Sequence, residues 1–421
     1  MTRRTARPLW IRVMSRAPGM ALAGGAARAV LAIAMALCVL AGAPALAGPL
    51  DDPRSDAFYT PPQPLPSGPH GTLIRSRPFI PVGLLAYGWQ VMYKSNDVNG
   101  LPIAITGTVL VPFTPWLSGP RPVIAWAPGT QGQADNCAPS HQYALSTEYE
   151  ATIAGATPAT LARGWAIAMT DYQGLGTPGD HTWGIGKAEG QAVLDAALAA
   201  QQLSGAGLSA NAPVGIMGYS QGGHAAAFAA ELQPAYAPGL NVRGVAAGAG
   251  PFSIADVYAN VNGGPFGGVG PIALMGLNAA YPELGLSSIL TPYGQSVIAD
   301  FRGTKCLLDV TASYPFLSDS VLVQAPAILN RADWLARMAQ NQSGNGVPAV
   351  PALVYAGTLD EIIPFGQNQK LFAAWCARGG NVAFRTIGAT EHATGLLLGL
   401  PVALDWMTQR FGSVPAVSEC P

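Results

Sequence analysis

The chain has 421 residues, only 11% of them charged, and a formal net charge of −1. That balance gives no electrostatic footprint for nucleic acid, and the length suits one large domain or two smaller ones. The 51 glycines and 37 prolines imply many turns; they are spread along the chain and form no repeat.

The first element is a leader. Arg3, Arg4, Arg7, Arg12, Arg16 and Arg28 precede or open an apolar stretch over residues 29–43, and Ala45-Leu46-Ala47 supply small residues before Gly48. This is the pattern of a signal peptide over residues 1–47, with Met14 and Met20 as alternative starts. The apolar run is short for a membrane span of about 20 residues. The mature chain is therefore expected to be secreted or periplasmic. It retains Cys137, Cys306, Cys376 and Cys420. An even count in an exported chain predicts two disulfides, and the count alone leaves three pairings open. No C-x-x-C is present, so neither a metal site nor a redox site is expected.

Residues 51–69 are proline-rich and read as an extended arm. Residues 89–93 and 103–111 are β-rich runs about a turn at 94–102, a hairpin signal. The run PVIAW at 122–126 reads as a buried strand, followed by a loop over 127–140. A strand at 165–170 and a helix at 187–202 come next. The apolar run APVGIMG at 212–218 predicts another buried strand, and the alanine-rich stretch 221–232 a helix. A further strand falls at 242–249. Strands alternating with helices predict an α/β fold with a mostly parallel sheet covered by helices.

The alternation stops near Pro251. Residues 253 to about 340 read as helices and loops, including helices at 272–281 and 327–340. It resumes with a strand at 351–356, a helix at 367–376, a strand at 382–387 and a last helix at 394–409. The expected division is a core over 48–252, an inserted helical cap over 253–345 and the rest of the core over 346–421.

Chemistry enters at Gly218-Tyr219-Ser220-Gln221-Gly222, between a predicted strand and a predicted helix. This is the setting of a nucleophile elbow, with Ser220 on a tight turn flanked by glycines. The base should follow the last strand. Of the five histidines, His70, His141, His181, His224 and His392, only His392 does so, in the loop GATEHATG at 388–395. His224 lies on the serine's own helix and points along it, which suits packing or hydrogen bonding. His141 and His181 fall in loops. The acid should end the strand before the histidine's strand, which places Asp360 there, with Glu361 as the adjacent alternative. The oxyanion needs two N–H donors: Gln221, next to the serine, and Thr130 or Gln131 from the loop at 128–132.

The stretches PGTQGQADNCAPS, TDYQGLGTPGDHTW, GQAVLDA, GYSQGGHAA, YAGTLDEIIP and EHATG span almost all of the mature chain. Together they resemble the secretory lipase family of the α/β-hydrolase superfamily, the Candida extracellular lipase type. The resemblance implies an α/β-hydrolase fold, the same triad of Ser220, Asp360 and His392, and a helical lid between the elbow and the acid. It also implies the pairings Cys137–Cys306 and Cys376–Cys420. Pro128 departs from the pattern, since many members carry His there. The expected function is a secreted serine carboxylic-ester hydrolase of the lipase type, using no cofactor. Its partner is a small-molecule acyl ester or a lipid, with transient contact at a lipid interface and no obligatory protein partner. Acyl transfer or amide cleavage by the same triad is the alternative. A non-catalytic binding protein is disfavoured because all three triad positions are filled.

Overall fold

The computed structural model describes residues 52–145 and 156–421. The predicted leader lies outside the described residues. Nine strands build one sheet: β1 (Leu73–Phe79), β2 (Ala86–Asn96), β3 (Pro102–Pro112), β4 (Val123–Ala127), β5 (Ala166–Thr170), β6 (Val214–Tyr219), β7 (Val242–Gly248), β8 (Ala352–Ala356) and β9 (Val382–Thr386). Their order is β1-β2-β3-β5-β4-β6-β7-β8-β9. The pairs from β1 to β5 are antiparallel, and every pair from β5 to β9 is parallel. Strands β4, β5, β6 and β8 are buried at every position, as continuous apolar runs under two helical layers should be.

The helices are α1 (Pro139–Leu145), α2 (Ala156–Ala162), α3 (Gly186–Gln202), α4 (Gln221–Tyr236), α5 (Ile254–Val261), α6 (Val269–Ala280), α7 (Leu286–Ile289), α8 (Pro292–Phe301), α9 (Leu307–Ser313), α10 (Asp319–Leu322), α11 (Ala332–Gln340), α12 (Phe365–Ala377) and α13 (His392–Phe411). Alanines of α3 and α4 pack one face of the sheet with Leu371 and Trp375 of α12. Leu400, Leu404 and Met407 of α13 pack the other face, with Tyr143 of α1 and Leu161 of α2. Helices α5 to α11 all fall between β7 and β8 and share a cluster with Trp183 and Ile185. Helix α6 lies directly on that seat: a Cβ on Gly276 would come 2.2 Å from the Trp183 carbonyl oxygen. Disulfides join Cys137 to Cys306 and Cys376 to Cys420. The first ties the loop after β4 to the inserted helices.

Several elements differ from the sequence reading. Strand β1 was not foreseen. Its sequence LIRSRPF carries Arg75 and Arg77, and it pairs only with β2 at the edge of the sheet. The hairpin strands run longer than expected, because Asp97 closes a short turn by accepting the Asn99 and Leu101 N–H groups. The loop after β4 contains α1. Helix α4 continues through Pro234, which stands in its last turn, where the missing donor interrupts little of the ladder.

Candidate active site

Strands β4 and β6 are neighbours in the sheet although β5 lies between them in the chain. Their following loops therefore part at the carboxyl edge and leave a crevice, the place where open α/β sheets bind ligands. Ser220 stands there, between β6 and α4, with φ 58 and ψ −129. A left-handed φ is uncommon in a residue with a side chain. Close backbone packing enforces the turn. A Cβ on Gly218 would lie 2.1 Å from Gly222 O, and one on Gly222 would lie 1.9 Å from Ala127 O. The Ser220 N–H donates to Gly248 O of β7 at 3.0 Å. The serine is partly exposed, whereas Tyr219 and Gln221 beside it are buried.

His392 reaches the serine from the other side. Its Nε2 lies 3.0 Å from Ser220 Oγ, and its Nδ1 lies 2.7 Å from Asp360 Oδ2. The carboxylate only accepts, so Nδ1 carries the hydrogen and Nε2 is free to accept from the serine hydroxyl. Asp360 follows β8, and its side chain has 0% exposure. Its other oxygen accepts from Ile362 N–H at 3.1 Å and Ile363 N–H at 2.7 Å. Glu361 instead accepts the His392 backbone N–H at 2.9 Å. The two neighbouring acids thus divide the histidine between them, one at the ring and one at the main chain. The Tyr219 hydroxyl donates to His392 O at 3.0 Å; burial pushes its phenol pKa up. His392 is the first residue of α13, not part of the preceding loop as the sequence implied. Glu391 caps that helix by accepting from Thr394 N–H.

Of the residues expected at the oxyanion, Gln221 directly follows Ser220 in the chain. Gln221 opens α4, and a first-turn N–H has no intrahelical partner. Thr130 and Gln131 lie buried in the loop after β4. Bonds from other elements help hold that loop. Tyr172 Oη donates to Pro128 O at 2.9 Å, Trp183 Nε1 to Thr130 Oγ1 at 2.8 Å, and the Leu307 N–H to Gln131 O at 2.8 Å.

The remaining histidines have other partners. His70 meets Asp195, His141 packs beside the Tyr59 ring, and His181 and His224 join a buried network around Glu189. Glu189 was passed over in the sequence, where it is one polar residue in an alanine-rich helix. Asp171, in the stretch TDYQGLGTPGDHTW, is a second buried acid that no local pattern in the sequence picks out. It accepts from the Ser140 N–H at 2.8 Å and Oγ at 2.5 Å, and burial pushes its pKa up to about 6. Among the described residues no cluster of three or more His, Cys, Asp or Glu is placed to hold a metal ion.

Comparison with known proteins gives a consistent result. The family model described as secretory lipase matches residues 138–419. Lipase A of Moesziomyces aphidis is 29% identical over 389 residues, covering 87% of this chain and 82% of that protein. Lipase 4 of Candida albicans is 31% identical over 398 residues, covering 87% and 83%. The crystal structure of Candida antarctica lipase A in its closed state superposes with a TM-score of 0.78 at 28% identity, covering 87% of this chain and 88% of that one.

Proposed function

The chain belongs to the secretory lipase family, and from that premise we propose that it is an exported lipase working through Ser220, His392 and Asp360. It is an ester hydrolase; the proposal concerns how and where it acts. As Ser220 Oγ attacks the ester carbonyl carbon, His392 Nε2 takes the hydroxyl proton. Asp360 holds the ring in the tautomer that makes this possible and stabilises the imidazolium that results. The carbonyl oxygen, now negative, is held by the Gln221 N–H and by a loop N–H from Thr130 or Gln131. His392 then gives its proton to the departing alcohol, leaving an acyl group on Ser220. Water, deprotonated by the same nitrogen, releases the acid.

The observation that carries this reading is the continuous chain from Ser220 Oγ to His392 at 3.0 Å and on to Asp360 at 2.7 Å. Residues 253–345 serve as a cap that packs through the apolar cluster shared with Trp183 and Ile185, and the low charge content of the chain suits an acyl chain better than a sugar. Leu359 at 62% exposure and Leu398 at 55% lie on the elements that carry Asp360 and His392, and support contact with a lipid interface there. The two disulfides fit export of the mature chain to an oxidising compartment.

The test is turnover of p-nitrophenyl esters of graded chain length by wild type and Ser220→Ala. The variant is expected to lose kcat by a factor on the order of 10⁶ on every ester. Wild-type rates from the variant would overturn the mechanism. The chain-length profile of the wild type reads how deep an acyl chain the cap admits.

A further inference from the structure

Glu189 is 1% exposed. A carboxylate so buried is tolerated only when its oxygens are matched by donors. Here they are. Oε1 accepts from the Gly184 N–H and from Gln221 Nε2, each at 2.8 Å, and Oε2 faces His224 Nδ1 at 2.9 Å.

The partners assign the hydrogens. Gln221 Nε2 has two, and both are used: one on Glu189 and one on His181 Nε2 at 2.8 Å. His181 Nδ1 lies 3.1 Å from the Gln173 carbonyl, which can only accept. So His181 carries its hydrogen on Nδ1 and accepts at Nε2. Burial lowers its pKa and so favours this neutral ring. On the far side, His224 Nε2 donates to Asn341 O at 2.9 Å. A second hydrogen lies between His224 Nδ1 and Glu189 Oε2.

An unbroken line of matched donors and acceptors therefore runs from Gln173 to Asn341. Gln221 sits in its middle, its amide nitrogen held from two directions. Its backbone N–H is the one beside Ser220. At the far end, Asn341 accepts the Gly186 N–H at 3.0 Å and donates to Tyr281 Oη at 3.1 Å, joining the inserted helices to the start of α3.

We propose that Glu189 is a positioning residue of this hydrolase: through the Gln221 carboxamide it fixes the Gln221 N–H on the oxyanion. This rests on the serine mechanism above. Glu189 touches no reacting atom. Its part is to keep Gln221 from rotating at the first turn of α4, where a backbone donor displaced by a fraction of an ångström would stabilise the developing charge less.

Three variants test it. Glu189→Gln can preserve the network, since its Oε1 accepts the same two donors and its amide N–H donates to a neutral His224. Glu189→Leu removes the acceptor. Gln221→Met strips the carboxamide from the other end and leaves the backbone N–H in place. The readouts are kcat and KM on a p-nitrophenyl ester, the inhibition constant of an alkyl trifluoromethyl ketone, and the melting temperature. The hemiketal oxygen of the ketone occupies the oxyanion position, so its affinity reports that site directly.

Glu189→Leu and Gln221→Met are each expected to lower kcat about a hundredfold, with KM within about threefold, and to weaken the ketone to match. The double variant should be no worse than the poorer single one, and Glu189→Gln should stay within about threefold of wild type. Wild-type kcat and ketone affinity in either disrupting variant would overturn the proposal, as would a Glu189→Gln loss as deep as that of Glu189→Leu. If Glu189→Leu does not fold, Gln221→Met carries the same readouts alone. An active Ser220→Ala would sink the serine mechanism itself. An inert Ser220→Ala beside a fully active Gln221→Met would sink the positioning role alone.

Discussion

Asp360 illustrates how a single side chain is held to one geometry. Two N–H groups of its own turn grip Oδ1, so Oδ2 has one direction left, toward His392 Nδ1. Replacing it by asparagine keeps the shape but presents an N–H to the ring if the amide turns, which favours the wrong tautomer. For Asp360→Asn we expect kcat to fall by about 10⁴ with KM little changed, read by steady-state kinetics on a p-nitrophenyl ester. Glu361→Gln keeps an acceptor for the His392 N–H and should cost less than about tenfold. Equal losses in the two variants would contradict the division of labour. The sequence favours Asp360 as the acid but keeps Glu361 as an alternative, because the two are adjacent and a turn of three residues decides which one faces the histidine. It did single out Ser220 and His392, since the elbow is a local pattern and one histidine alone follows the last strand.

The elements around the site were legible where a local rule governs them and obscure where a partner does. Apolar runs announced β4, β6 and β8. Strand β1 escaped because its arginines serve the N-terminal arm: Arg75 donates to Ala57 O and Thr60 O, each at 3.0 Å. The residue that follows the arm is also tied to the core. His70 Nδ1 lies 2.6 Å from Asp195 Oδ1 of α3, and its ring stacks on Tyr236 of α4 with centroids 3.9 Å apart. The bond to Asp195 holds the His70 pKa above its ordinary value, against the opposing effect of burial. A histidine whose pKa rises on folding contributes stability that is fully present below its unfolded pKa of about 6.5 and is lost as pH rises through the folded value. Melting curves of wild type and His70→Gln across that range should therefore differ most on the acid side and converge on the alkaline side. A gap that stays constant, or widens with pH, would count against this tie.

For the whole molecule, the alternation of strands and helices carried enough information to outline a mostly parallel sheet covered by helices, and its break after Pro251 falls where helices α5 to α11 follow β7. The cysteine count could not say which thiols meet. The line from Gln173 through His181, Gln221, Glu189 and His224 to Asn341 was equally hidden, because it joins residues far apart in the chain that meet only when α3, α4 and the inserted helices are packed. The central claim is that this packing makes Ser220 a nucleophile that carries the acyl group. The most direct measurement is peptide mass analysis after acid quench of the enzyme mixed with a p-nitrophenyl ester. One acyl group should appear on the peptide that contains Ser220, and none on the same peptide from Ser220→Ala. An acyl group on another residue, or ester turnover by Ser220→Ala at the wild-type rate, would contradict the account.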